Sequence, residues 1–238
     1  MSTPMPADRP FRLPLSVRMV MIDLDGTLIH TAPDIGAAAN AMLADLGLER
    51  HDQAVIETWI GNGVRRLVKR ALTGSMDGEP DQALFERAYP LFLTHYAAGV
   101  AERSRPYAGV VEGLERLQAG GFALACVTNK AEMFTRPLLD ALDLSRFFSL
   151  VVAGDTLPKK KPDPLPLLHA CTHFGIRPAQ GLLVGDSVND AQAARAAGMP
   201  VILVTYGYNR GTDVRSLSPE AVIDSLIDLP QYVRLQAD

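Results

Sequence analysis

A mostly apolar run, Val17 to Ile22, stops abruptly at Asp23-Leu24-Asp25-Gly26-Thr27. The run reads as a strand buried on both faces. In extended backbone Asp23 and Asp25 point to one side and Leu24 to the other. Gly26 permits the turn that follows, and Thr27 adds a hydroxyl. Two carboxylates so placed repel by about 4 kcal/mol at ~4 Å and an effective dielectric of about 20. A hard cation, or a proton on one of them, has to offset that. Taken alone, the pentapeptide is equally a strand end closed by an Asx-turn. What the rest of the chain places beside it decides between the two.

Along the chain, helical and extended patterns alternate, with one interruption. Asp34 is expected to N-cap a helix from Ile35 through Leu46, and Gly47 suits its C-terminal end. Further helices are expected over Asp52 to Ile60, from Val64 through Leu72, and over Gln82 to Ala98, where Pro90 should kink or break the last. The turn Gly61-Asn62-Gly63 separates the second from the third. No strand is expected between Asp34 and Ala98, so this stretch reads as an inserted helical unit. From Gly99 onward strands are expected near Phe122 to Val127, Leu150 to Gly154, Gly181 to Val184 and Val201 to Val204, each following a helix; the end from Pro219 reads as helical. The expected fold is α/β, an open doubly wound parallel sheet with a Rossmann-like core over 16–33 and 100–238. An all-helical cap domain over 34–99 is inserted in it, and residues 1–15 are expected to form a flexible tail carrying four prolines.

The totals exclude several classes of function. At 238 residues, 47% hydrophobic and 21% charged, the chain has the make-up of a soluble globular enzyme. A net charge of −4 argues against a general nucleic-acid binder. No apolar stretch is long enough to span a membrane, and the first fifteen residues lack the core of a secretory signal. Cys126 and Cys171 are the only cysteines, too few for a disulfide framework or a thiolate metal site, so a cytoplasmic location is expected. Whether the chain is a monomer or a homo-oligomer is left open.

Each polar cluster follows the carboxyl end of an expected strand. These are Asp23 to Thr27, Thr128-Asn129, the loop Lys159-Lys160-Lys161-Pro162, and Gly185-Asp186-Ser187-Val188-Asn189-Asp190. In an open parallel sheet that edge is where ligands bind. By these residues, in this order and spacing, the chain resembles the haloacid dehalogenase superfamily of phosphatases. The resemblance implies a Mg²⁺-dependent phosphotransfer core with a helical cap. It implies Asp23 as the nucleophile forming an aspartyl-phosphate, and Asp25 as the acid and then the base. Mg²⁺ would be held by Asp23, the main-chain carbonyl of Asp25, and Asp186. Asp190 would lie behind these, orienting water or Lys161, although Asp186 and Asp190 also suit helix N-termini. Lys161 would neutralise the transferred phosphoryl group. Thr128 and Asn129 would donate to its oxygens, and by themselves they are equally a helix cap. Lys159 and Lys160 are expected to be surface residues.

Within the superfamily the chain is most similar to bacterial phosphoglycolate phosphatases. The similarity lies in Asp23 to Ile35, Trp59-Ile60-Gly61-Asn62-Gly63, Val127-Thr128-Asn129-Lys130 and Thr205-Tyr206-Gly207-Tyr208-Asn209. His30-Thr31 departs from the Asp-Ser usual in that group. The implied partner is a small phosphorylated metabolite, 2-phosphoglycolate. Gly61, Asn62 and Gly63 are expected to offer main-chain N–H groups to its carboxylate, with Arg65 or Arg66 nearby. A sugar-phosphate phosphatase, a pyrophosphatase or a phosphomutase would share the core residues. A non-catalytic phosphoryl-binding module is the reading from another class, and paired carboxylates ill suit simple anion binding. Trp59, Met42 and Tyr96 fall at helical spacings and are expected in the cap core.

Overall fold

A computed structural model describes residues 12–209 and 211–236. Most of the expected tail, residues 1–11, therefore lies outside the described residues. The first apolar run is two strands rather than one. β1 (Leu15–Val17) and β2 (Met19–Ile22) are separated by Arg18, and β1 leaves the main sheet to pair in parallel with the C-terminal segment Val233–Leu235. Leu15 thus belongs to a strand and not to a tail.

β2 is buried on both faces, and its side chains alternate between two apolar clusters. Val20 and Ile22 join Leu114 and Leu138 on one side; Met19 and Met21 join Leu167 and Ala194 on the other. After β2 the chain makes the short strand β3 (Ile29–His30) and enters four helices, α1 (Ala32–Asp45), α2 (Gln53–Glu57), α3 (Val64–Thr73) and α4 (Gln82–Ala98). It returns through β4 (Arg105–Pro106), antiparallel to β3. The four helices bury their own cluster, which includes Met42, Trp59 and Tyr96, as expected, and also Phe92. α4 runs through Pro90 without ending.

Then follow α5 (Val110–Ala119), β5 (Ala123–Val127), α6 (Glu132–Ala141), β6 (Leu150–Val152), α7 (Leu165–His173), β7 (Gly181–Gly185), α8 (Val188–Ala197), β8 (Val201–Val204), β9 (Ala221–Ile223) and β10 (Val233–Leu235). The main sheet is parallel throughout, in the order β6-β5-β2-β7-β8-β9. α5 and α6 pack on the face carrying Val20 and Ile22, α7 and α8 on the opposite face. This is the doubly wound arrangement expected.

Two local expectations fail. Asp34 does not cap α1, because Pro33 has no N–H to satisfy and fits the first helical turn, so the helix starts earlier, after Thr31. The buried Asp34 carboxylate instead accepts from the N–H groups of Arg103 and Ser104 and from the Ser104 hydroxyl, at 2.7–3.0 Å. It ties together the two chain segments that enter and leave the helical unit. The C-terminal stretch forms no α-helix either. Ala221–Ile223 extends the sheet beside β8, and a 3₁₀ stretch over Leu226–Gln231 contains Pro230. Leu226 there lies so close to α5 that a Cβ on Gly113 would meet its carbonyl oxygen at 2.6 Å.

Candidate active site

Register brings the motif residues to one edge. Ile22 lies level with Cys126 of β5 and Val184 of β7. Asp23 therefore leaves its strand level with Val127 and Gly185, and Thr128 and Asp186 follow one residue further on the two adjacent strands. One carboxylate oxygen from each of Asp23, Asp186 and Asp190 lies within 4.8 Å of the other two. Lys161 reaches among them, its Nζ 2.9 Å from Asp23 Oδ1 and 2.6 Å from Asp190 Oδ1. Asp186 accepts from the main-chain N–H of Tyr208 at 2.5 Å and from the Thr27 hydroxyl at 3.2 Å. Gly26, at φ +88°, allows this crowding: a Cβ there would lie 2.4 Å from Asp186 Oδ2.

Asp190 divides its two oxygens between Lys161 and the start of α8. One oxygen holds Lys161; the other accepts from the N–H and hydroxyl of Ser187, at 3.1 and 2.6 Å, and so caps α8. Thr128 and Asn129 line the same cavity as Asp23, Asp25, Lys161 and Asp186. The Asn129 amide is turned elsewhere than expected. It donates to the carbonyls of Lys161 and Gly61, at 2.9 and 3.1 Å.

The electrostatics are those of a site short of positive charge. Three buried carboxylates face a single buried ammonium. Burial pushes the Asp23 carboxyl up, Lys161 pulls it down and Asp190 raises it again, to about 6. Burial, with Asp190 and Asp23, holds Asp186 well above the carboxylate range. Burial alone would lower the Lys161 ammonium, but Asp190 and Asp23 outweigh it and hold the group above its ordinary value. A divalent cation matches this deficit, and an all-oxygen donor set suits a hard one. The residues present fit such an ion between Asp23 and Asp186.

Asp25 stands outside this trio. Its carboxylate is 3.0 and 3.3 Å from Lys130 Nζ, and Lys130 also donates to the hydroxyl of Tyr96 from α4. Sequence reasoning gave Lys130 no role, although it directly follows Thr128-Asn129 in a loop leaving a buried strand. Tyr96 lies in the cap core as expected, and its hydroxyl alone reaches the site.

The loop before α3 docks on the core through its carbonyls. Gly61 O accepts from Asn129 and from Asn189, both at 3.1 Å, and Asn62 O from Lys160 Nζ at 2.9 Å. Lys160 is thus not a bystander, because its ammonium holds the cap loop. Arg65 and Arg66 do not reach the cavity. Arg65 lies over the rings of Phe85 and Tyr89, at 4.9 and 5.0 Å, and Arg66 pairs with Asp77 and Glu79. Both face outward on α3 because Leu67 and Val68 take its buried side.

A family model described as haloacid dehalogenase-like hydrolase matches residues 20–204, from β2 through β8. The chain belongs to the haloacid dehalogenase-like hydrolases. Among members of this family, it is 57% identical over 215 residues to the phosphoglycolate phosphatase of Thiobacillus denitrificans, covering 90% of this chain and 95% of that one. It is 56% identical to the phosphoglycolate phosphatase of Nitrosospira multiformis, over 93% and 97% of the two chains. A solved structure of a predicted phosphoglycolate phosphatase from Haemophilus somnus superposes with a TM-score of 0.85, at 36% identity, over 90% of this chain and 96% of that one. No helix among the described residues is long and apolar enough to cross a membrane.

Proposed function

We propose that this hydrolase cleaves phosphomonoesters with Mg²⁺ as its metal, in the cytoplasm, and that its substrate is 2-phosphoglycolate. The observation that carries the reading is the meeting of Asp23, Asp186, Asp190 and Lys161 at the mouth of the sheet, beside Thr128 and below the cap loop. The names of the relatives supply the substrate, and the cavities favour something small. The cavity at the carboxylates adjoins a second one, with which it shares Asp25, Gly61 and Asn129. The neighbour is walled by Ile35, Ile60, Val64, Leu67 and Phe92, against which the hydroxyls of a sugar would lose their hydrogen bonds.

Asp23 Oδ attacks phosphorus as the bond from phosphorus to the ester oxygen breaks, giving an aspartyl-phosphate and glycolate. Asp25 gives its proton to the departing oxygen, then takes one from the water that attacks the same phosphorus and releases phosphate. Lys161 offsets charge on Asp23 and the phosphoryl oxygens, held in place by Asp190. The Thr128 hydroxyl donates to a phosphoryl oxygen. Asp23, Asp186 and the main-chain carbonyl of Asp25 would hold Mg²⁺, whose charge would offset that of the phosphoryl oxygens.

Phosphate release measured over 2-phosphoglycolate, sugar phosphates and pyrophosphate tests this. The expected result is the highest kcat/KM for 2-phosphoglycolate, reversible loss in EDTA, and a folded but inactive Asp23→Asn protein. Normal turnover by that variant would remove the mechanism. A higher kcat/KM for a sugar phosphate or pyrophosphate would replace the substrate, and transfer between sugar phosphates without phosphate release would make the protein a mutase.

A further inference from the structure

Lys130 takes no part in the steps above, yet it is 4% exposed and carries a charge. Its ammonium sits where three elements meet: the loop after β5, Asp25 after β2, and Tyr96 on α4. It also lies 4.6 Å from the centre of the Tyr96 ring. These heads open into the second cavity, which shares Asp25, Gly61 and Asn129 with the cavity of the carboxylate trio. A phosphomonoester held at Asp23 would therefore pass its organic end across Asp25 into that second space. The walls there are largely aliphatic and aromatic, so a fixed ammonium in it acts at low effective dielectric.

The donors remain to be matched. Lys130 Nζ makes three hydrogen bonds, two to the carboxylate oxygens of Asp25 at 3.0 and 3.3 Å and one to the Tyr96 hydroxyl, so an incoming anion would share the ammonium with Asp25. Because the Tyr96 oxygen accepts from Lys130, its own hydroxyl proton is left to point at an acceptor. Burial, with Asp25 and Asp34, holds this phenol well above its ordinary value, so the proton stays. Two donors from opposite sides of the cleft, one of them charged, line this cavity beside Asp25 and Asn129, amid walls that are otherwise largely apolar. That arrangement suits a small anion.

We infer that Lys130 and Tyr96 together receive the carboxylate of the substrate, and that they set its preference for a phosphomonoester bearing a second anionic group one carbon from the ester oxygen. The inference rests on the proposed hydrolase and names the residues behind its substrate choice. It gives the cap a reason to close: Tyr96 arrives from α4, so the carboxylate is fully bound only with the helices down.

The test compares 2-phosphoglycolate with ethyl phosphate, which replaces the carboxylate by a methyl group. In the wild-type protein kcat/KM should favour 2-phosphoglycolate. In Lys130→Met that ratio should fall by about tenfold or more, carried mainly by KM for 2-phosphoglycolate. Tyr96→Phe keeps the ring and its packing and should lower the ratio by about threefold or more, which gives a reading even where Lys130→Met fails to fold. An unchanged ratio in both variants, with the two substrates declining together, would overturn the assignment and leave Lys130 as a support for Asp25. A wild-type protein with no preference between the two substrates would instead overturn the proposed substrate itself.

Discussion

Tyr208 joins the start of the helical unit to the candidate catalytic edge, and removing one oxygen from it should be costly. Its phenol accepts from the main-chain N–H groups of Thr31 and Ala32, at 2.8 and 2.9 Å, and lies 3.1 Å from His30 Nδ1. Thr31 and Ala32 begin α1, where the first N–H groups have no partner within the helix. The Thr31 side chain makes no capping bond, so a hydroxyl 176 residues away does that work. Both residues are fully buried, which keeps water from substituting. In Tyr208→Phe the ring keeps its packing while two buried donors lose their acceptor. At about 1–2 kcal/mol each, the loss is about 2–4 kcal/mol. For a chain of this size each kcal/mol lowers Tm by about 2–4 °C, so calorimetry should record a fall of about 5–15 °C. The main-chain N–H of Tyr208 still reaches Asp186, so the midpoint of metal activation should move little. A stability loss below about 0.5 kcal/mol in urea titration would mean that the start of α1 finds other acceptors, and the reasoning would fail.

The crowded carboxylates make the metal-free protein sensitive to pH. Because the folded Asp23 pKa, about 6, lies above its ordinary 3.8, the native state binds the extra proton. Stability should therefore fall as pH rises from about 4 to 6 in EDTA, and added Mg²⁺ should raise Tm more at pH 7 than at pH 5; equal Mg²⁺ shifts at the two pH values would contradict this. Gly26→Ala places a Cβ 2.4 Å from Asp186 Oδ2 at a backbone angle L-residues avoid, so activity should fall at least about 100-fold with a weakened Mg²⁺ response, read by phosphate release against metal concentration. Lys161→Met strips the one ammonium from among Asp23, Asp186 and Asp190 and should lower kcat by about 100-fold or more; near-normal kcat would show that another group carries the charge.

The meeting of Asp23, Thr128 and Asp186 at one sheet edge was legible because each of its parts is local. An apolar run followed by acidic residues and glycine marks a buried strand delivering polar groups to a sheet edge, and Asp23, Thr128 and Asp186 each follow such a run. The same logic misjudged Asp34, where an N-cap pattern competed with Pro33, and the C-terminus, where Ala221–Ile223 is too short to show a period. Arg65 and Arg66 were placed by nearness in sequence to Gly63, but their direction depends on which face of α3 is buried.

What the sequence determined by itself is the order of the strands' chemistry: alternation, buried runs, and the residue types at their ends, all set by hydrophobic period and backbone conformation. What only the tertiary structure decided is who meets whom across the cleft. Lys130 with Asp25 and Tyr96, Tyr208 with the start of α1, and Gly61 with Asn129 and Asn189 join segments 34 to 177 residues apart. No periodicity encodes such pairs, because they arise from how the packed helices settle on the sheet.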